Sequence, residues 1–99
     1  MTIEQKQNGN QLVMNISGRL DTSTAPELEE ALSKVSGEVT ELVFECKDLE
    51  YISSAGLRVL LKAQKKMNTV GSMKVIHVND AIMEVFTITG FDSILTIEQ

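Results

Sequence analysis

The period of the hydrophobic and polar positions changes along the chain, and each change predicts the boundary of an element of secondary structure. Short alternating or continuously apolar runs are typical of strands, whereas apolar residues spaced three and four apart are typical of helices. The turn Asn8-Gly9-Asn10 lies between the first two alternating runs and predicts a β-hairpin. Strands are predicted at residues 3–7, 11–17, 41–46, 73–78 and 94–97.

Three segments have helical spacing, and capping residues mark their ends. Thr24 and Glu27 have the spacing of a capping box, and Pro26 suits a first helical turn because it needs no amide partner there. The second helix opens at a turn of small and polar residues. The helices are predicted to begin at Thr24, at Ser53 and at Asn79 or Asp80, and to end near Ser36, Thr69 and Gly90.

The order of these elements predicts an α/β fold. A hairpin followed by alternating helices and strands gives a mixed β-sheet whose central strands are parallel. Right-handed crossovers place successive helices on the same face, so helices should pack mainly on one face of the sheet and leave the other more exposed. Residues 47–52 are interpreted as a connection that returns to the core through Leu49 and Ile52. The chain is expected to form a single domain over residues 1–99.

Charge and composition narrow the range of partners. The chain has 9 Lys and Arg against 14 Asp and Glu, a net charge of −5, which disfavours nucleic acid because phosphate binding requires a basic face. No apolar run approaches the roughly 18–20 residues of a membrane span, and the N-terminal residues lack the apolar segment of a secretory signal. The single cysteine, Cys46, suits a reducing compartment. We therefore expect a cytoplasmic protein that binds neither nucleic acid nor membrane.

Residues that could perform catalysis or hold a cofactor are scarce. An ordinary zinc site needs four nitrogen or sulfur ligands, and the chain has only one cysteine and one histidine, His77. The glycine-rich loops that bind nucleotides are absent. A serine nucleophile needs a base, and His77 is predicted to lie inside a strand, on one face with Met73 and Val75. The chain is therefore expected to have no enzymatic activity and no cofactor.

Two polar turns form the one candidate site. They are Asp21-Thr22-Ser23-Thr24 before the first helix and Ser53-Ser54-Ala55-Gly56 before the second. Sites in open α/β sheets gather at the carboxyl ends of parallel strands, and the N-terminus of a helix stabilises an anion. Gly56 weakens a first helical turn, which indicates a backbone that something must approach closely. The alternative is a purely structural role, because serine is a favoured N-cap.

A serine at such a turn could be phosphorylated at little structural cost. The hydroxyl caps the helix while neutral, and the helix dipole tolerates the added charge of about −1.5 to −2. The potential of a surface with a net charge of −5 would change sharply while the fold survived. The turn could therefore act as a switch that needs no change of fold.

Several segments resemble a known family, in the right order and spacing over nearly the whole chain. The matching segments are Gly18-Arg19-Leu20-Asp21, Ala25-Pro26, Leu42-Val43-Phe44, Tyr51-Ile52-Ser53-Ser54-Ala55-Gly56-Leu57-Arg58-Val59-Leu60 and Phe86-Thr87-Ile88-Thr89-Gly90-Phe91. The fourth of these is the most specific. On these motifs the chain resembles the STAS domain, in particular the small stand-alone anti-sigma factor antagonists of bacteria.

This resemblance implies partner switching by a domain that is not itself an enzyme. Family members bind an anti-sigma factor that is also a serine kinase, and this binding frees the sigma factor. The kinase phosphorylates a serine at the start of the second helix, which breaks the complex. A PP2C-type phosphatase reverses the modification.

The family's site residues carry over by position. Well-known members have Asp-Ser-Ser-Gly-Leu or Asp-Ser-Thr-Gly-Leu at the second turn, and the serine after the aspartate accepts the phosphate. Ser54 falls on the acceptor position, and Ser53, which stands in place of the aspartate, is the second choice. Ala55 replaces the next hydroxyl residue. The residues predicted to bind the partner are Asp21, Thr22, Ser23, Thr24, Ser53, Ser54, Ala55, Gly56, Leu57 and Arg58.

Two other functions stay open at the level of sequence. The same motif suits a STAS interaction subunit of another regulatory or transporter complex that has no sigma pathway. The N-terminus of the second helix could alternatively bind a nucleotide or another small anionic ligand.

Overall fold

Six strands, three α-helices and one turn of 3₁₀-helix make up the computed structural model of the protein, which describes residues 1–99. The strands are β1 (Thr2–Asn8), β2 (Gln11–Leu20), β3 (Glu41–Glu45), β4 (Leu49–Ile52), β5 (Ser72–Ile76) and β6 (Ile97–Glu98). The helices are α1 (Ala25–Ser33), α2 (Ser54–Val70) and α3 (Asp80–Thr89), followed by the 3₁₀ turn Phe91–Ser93. None of these helices is both long enough and apolar enough to span a bilayer.

The predicted mixed sheet is confirmed. Its strands follow the order β1-β2-β3-β5-β6, with the β1–β2 hairpin antiparallel and the other neighbours along this path parallel. The strand β4 lies off this path and pairs in parallel with the end of β2. The parallel strands need crossover connections, which α1, α2 and α3 provide.

The helices cover one face of the sheet, as the sequence predicts. Met14, Phe44 and Val75 lie side by side in the register of β2, β3 and β5, and all three are fully buried in the core with α2 and α3. The neighbouring register positions point to the opposite face, because side chains alternate along a strand. That face is mixed: Gln11 donates a hydrogen bond to Glu41 at 2.6 Å, whereas Val43 of β3 lies on it and is only 2% exposed.

The interpretation of residues 47–52 as a connection is wrong. Leu49–Ile52 is a strand, and it pairs with the last residues of β2, which continues to Leu20 beyond the predicted end at Ser17. A register shift between Gly18 and Arg19 bends β2 at this point, where Gly18 has a φ of +86°. Each of the two segments is too short for its hydrophobic alternation to predict a strand. Each forms a strand because it pairs with the other.

The position of His77 is also corrected. Strand β5 ends at Ile76, and His77 lies beyond it in the left-handed region with a φ of 57°, exposed to solvent. Its ring Nδ1 lies 2.7 Å from Oε1 of Glu45. His77 therefore pairs with an acidic side chain at the end of β3 instead of lying inside a strand with Met73 and Val75.

The predicted ends of two elements shift for local reasons, and the open choice of cap for α3 is decided. Helix α1 stops at Ser33 because Ser36 already forms a turn, its carbonyl accepting from the Val39 amide at 3.1 Å. The predicted strand at residues 94–97 is mostly a turn that directs Leu95 into the core, and only its last residue belongs to β6. At the start of α3 the cap is Asn79, whose Oδ1 accepts from the Ile82 amide at 2.8 Å.

Gly71 ends α2 under tight packing, which gives a test of the fold. A Cβ at Gly71 would collide with the backbone carbonyl oxygen of Thr40, which accepts a hydrogen bond from the Ser72 amide at 2.8 Å. Gly71→Ala should therefore lower the free energy of unfolding by about 1–3 kcal/mol. Gly37→Ala is the control, because a Cβ at Gly37 meets no atom within 4 Å. Urea denaturation followed by circular dichroism measures both, and equal losses would contradict this packing.

Candidate functional site

The two polar turns lie side by side because β2 and β4 end together. Leu20 and Ile52 are partners in the parallel register, and each is the last residue of its strand. The Ser53 amide donates a hydrogen bond to the Leu20 carbonyl at 2.9 Å, and this bond connects the two turns. The structure thus brings the two predicted turns to one edge of the molecule, at the carboxyl ends of parallel strands.

The carboxylate of Asp21 organises the first turn. One of its oxygens, Oδ1, accepts from the Ser23 hydroxyl at 2.8 Å, the Ser23 amide at 3.0 Å and the Thr24 amide at 3.2 Å. These donors stabilise the ionised form, so the pKa of Asp21 is lowered, with the Ser23 hydroxyl as the largest cause. The turn is therefore ordered around a carboxylate that is already charged.

Thr24 does not form the predicted capping box. It precedes α1, but its side chain makes no cap hydrogen bond to that helix. Its hydroxyl instead accepts from the Asp21 amide at 2.8 Å and donates to the Arg19 carbonyl at 2.8 Å. Thr24 ties the turn back to the end of β2, which competes with capping for the same oxygen.

The two serines of the second turn have different roles. Ser53 is the N-cap of α2, with extended backbone, and its Oγ accepts from the Gly56 amide at 3.4 Å. Ser54 is the first residue of the helix and is exposed, and its hydroxyl makes no hydrogen bond within the chain. The structural explanation for a serine here therefore applies to Ser53 and leaves Ser54 without a structural role.

Gly56 and Leu57 face inward. A Cβ at Gly56 would lie 2.7 Å from Cγ of Leu20 and 3.0 Å from Cγ1 of Ile52, so the close approach predicted for this glycine comes from the protein's own core. Leu57 is 6% exposed and belongs to the same core. These two residues position the turn, and their side of it is not available to a partner.

The other eight predicted contact residues are all at least partly accessible. Thr22, Ser23, Ser54 and Arg58 are exposed, whereas Asp21, Thr24, Ser53 and Ala55 are half-buried. Thr22, Ala55 and Arg58 also line a shallow depression between the first turns of α1 and α2. The accessible part of the site is thus a polar surface around the start of α2.

A cation and an aromatic ring that the sequence analysis did not assign complete this surface. The Arg19 guanidinium carbon lies 4.1 Å from the centroid of the Tyr51 ring, and Arg19 Nε lies 3.6 Å from Oδ2 of Asp21. Tyr51 keeps 40% of its surface exposed. The two residues are register partners in β2 and β4, so predicting β4 as a strand would have found them.

Comparison with known proteins identifies the family. The model of the STAS domain matches residues 2–99. The chain belongs to the STAS domain family. A curated relative, the anti-sigma-B factor antagonist of Bacillus subtilis, is 32% identical to this STAS domain over 98 residues, which cover 98% of this chain and 90% of the relative.

Solved structures agree with this assignment. An anti-sigma factor antagonist from Mycobacterium paratuberculosis has a TM-score of 0.88 and 26% identity, over 98% of this chain and 84% of that one. The Bacillus cell fate determinant SpoIIAA, solved in its phosphorylated form, has a TM-score of 0.77 and 17% identity, over 99% and 92% of the two chains. The relatives of this STAS domain thus include regulatory proteins named as anti-sigma factor antagonists.

The hydrogen bonds to Asp21 give a test of the first turn in this STAS domain. Ser23→Ala removes the largest cause of the lowered pKa, so the Asp21 carboxyl should titrate at higher pH than in the parent protein. Because the folded-state pKa lies below the unfolded one, the charged carboxylate stabilises the fold at neutral pH, and this contribution is lost as the pH falls through the lowered pKa.

Carbon-detected NMR of the Asp21 carboxyl follows this titration directly. Thr22→Ala is the matched control, since Thr22 is exposed and makes no hydrogen bond to Asp21. An unchanged Asp21 pKa in Ser23→Ala, or an equal rise in both variants, would contradict the geometry of the turn.

Proposed function

We propose that the protein is an anti-sigma factor antagonist that binds a serine-kinase anti-sigma factor, thereby releasing the sigma factor, and that phosphorylation of Ser54 switches it off. The observation that carries this proposal is the exposed Ser54 hydroxyl, which makes no hydrogen bond at the N-terminus of α2. Membership of the STAS domain family and relatives named as antagonists support the general role.

The start of α2 is well suited to hold a phosphate without loss of fold. Helix α2 has no acidic residue in its first turn, so its dipole is free to stabilise the added charge. The cap is supplied by Ser53, and phosphorylation of Ser54 leaves that hydrogen bond in place. SpoIIAA, which shares the fold, has been solved in its phosphorylated form.

The same phosphate would disrupt a partner that covers this surface. The kinase transfers the γ-phosphoryl group of ATP to Oγ of Ser54, releasing ADP and the hydroxyl proton. The product carries a charge of about −1.5 to −2 at pH 7 in place of a neutral hydroxyl. The charged Asp21 turn lies beside it, so two anionic groups face any partner. Hydrolysis by a PP2C-type phosphatase returns the hydroxyl and releases inorganic phosphate.

Single-residue variants should separate the two serines. Ser54→Ala should abolish phosphorylation by the anti-sigma kinase encoded in the same genome and leave stability almost unchanged. Ser53→Ala should still be phosphorylated, but removal of its cap should lower the free energy of unfolding by about 1 kcal/mol. Mass spectrometry after incubation with kinase and ATP, together with urea denaturation, measures both effects. Phosphate on Ser53, or on neither serine, would refute the assignment of Ser54.

A charge at position 54 should by itself weaken the complex. Ser54→Asp should raise the Kd for the anti-sigma factor at least about tenfold, because like charges across an interface cost binding free energy. Ser54→Asn has nearly the same shape without the charge and should bind much more tightly than the aspartate variant. Isothermal titration calorimetry compares the two, and equal Kd values would rule out an electrostatic switch.

A further inference from the structure

Charge is strongly segregated in this protein. Helix α2 contains four cations and no acidic residue, which leaves five cations against all fourteen acidic residues in the rest of the chain. Helix α1, which packs beside it, contains three glutamates and no cation. The four cations of α2 are Arg58, Lys62, Lys65 and Lys66, and all are exposed. A net negative protein thus presents one basic helix to its surroundings.

Three shallow depressions adjoin along this basic helix, because neighbouring ones share lining residues, and we refer to them together as the groove. Helix α1 borders the first part of the groove, and residues 35–42 border its far part. The groove starts at Ala55 and Arg58, beside the candidate site, and continues past Ala63 to Val70 at the far end of α2. Residues 55 to 70 of a helix span about 22 Å. The groove is therefore as long as a helical segment of about four turns.

The floor of the groove is apolar. Leu32 contributes from α1, and Val59, Ala63 and Met67 contribute from α2. Val70 closes the far end and is 47% exposed, which is unusual for a large apolar side chain in this protein. Val59, Ala63 and Met67 are already buried, so an apolar side chain placed here would shield mainly Val70 and the half-buried Leu32 from water.

The rim of the groove is basic on the α2 side. Arg58, Lys62 and Lys66 line it in succession. Lys62 is neutralised by Glu29 of α1 at 2.8 Å, and this contact lowers the pKa of Glu29. Arg58 and Lys66 form no ion pair within the chain, so two unpaired positive charges lie along the α2 side, whereas the α1 side carries Glu29, which is paired with Lys62.

We propose that this groove binds an acidic amphipathic segment of the anti-sigma factor. The apolar side of the segment would rest on the floor, and its carboxylates would pair with Arg58 and Lys66. This inference rests on the proposed function and adds the chemistry of the partner segment. The most acidic helix of the chain itself, α1, already buries Leu28 completely in its own core and is not free to fill the groove of a second copy.

The groove also gives a physical reason for the switch. Its mouth, at Ala55 and Arg58, lies within one helical turn of Ser54. A phosphate on Ser54 would put negative charge where an acidic segment enters, and would compete with that segment for Arg58. Phosphorylation would then repel the bound segment without any movement of the fold.

Two neighbouring lysines allow a matched test. Lys66 lines the groove, whereas the adjacent Lys65 is exposed outside it, so Lys66→Glu and Lys65→Glu make the same charge change in two different places. Calorimetry with the purified anti-sigma kinase should give a Kd at least about tenfold higher for Lys66→Glu, and a Kd close to that of the parent protein for Lys65→Glu. In NMR spectra, the amide signals of Ala63 and Met67 should shift when the kinase binds.

The outcomes distinguish this inference from the function on which it rests. If the parent protein fails to bind the kinase, the proposed function itself fails. If the parent protein binds but the two variants bind equally, weakened or not, the groove is not the docking site and the antagonist role stands. Concentration-dependent self-association that Lys66→Glu abolishes would overturn the proposed occupant, because it would assign the groove to a second copy of this chain.

Discussion

The candidate site depends on the parallel pairing of β4 with the extended end of β2. Because Leu20 and Ile52 are register partners, the turns that follow them leave the sheet at the same edge. The Ser53 amide then bonds to the Leu20 carbonyl, which fixes the start of α2 against the first turn. Gly56 allows the helix to approach these two strand ends closely, since any side chain there would overlap Leu20. Residues more than thirty positions apart in sequence thus form one surface.

At this surface, the structural role and the proposed regulatory role fall on adjacent serines. A single serine that both capped α2 and accepted phosphate would have its capping oxygen changed by the modification. In this chain the Ser53 hydroxyl caps the helix, whereas the Ser54 hydroxyl makes no hydrogen bond. Modification of Ser54 would therefore leave the capping hydroxyl unchanged. This separation explains how a modification could alter binding while the hydrogen bonds of the turn persist. It also accounts for a serine at position 53, where well-known family members have an aspartate, because both residues are good N-caps.

Electrostatics connect this surface to the rest of α2. The net charge of −5 suggests a uniformly acidic protein, but helix α2 carries four of the nine cations and none of the fourteen acidic residues. Local charge decides which partner can approach a given face, because exposed charges are screened beyond about 8–10 Å at physiological ionic strength. The proposed phosphate at the start of α2 would therefore act mainly on nearby groups such as Arg58 at the mouth of the groove.

The sequence by itself determined those features that rest on local chemistry. Residue type and hydrophobic period predict the hairpin turn and the buried rows of β2 and β3. They also predict the serine and asparagine that begin helices and the glycines that end them, and the family motif located both turns. Tertiary structure alone decided the features that depend on pairing between distant segments. Strand β4 is too short to be predicted from its own residues. Thr24 donates a hydrogen bond to the Arg19 carbonyl instead of capping α1, and His77 lies beyond the end of β5, where its ring contacts Glu45. Packing of separate elements creates three further features: the adjacency of the two turns, the Arg19–Tyr51 contact and the groove along α2. Each is formed by residues that are neighbours in space but distant in sequence, so no local pattern predicts it.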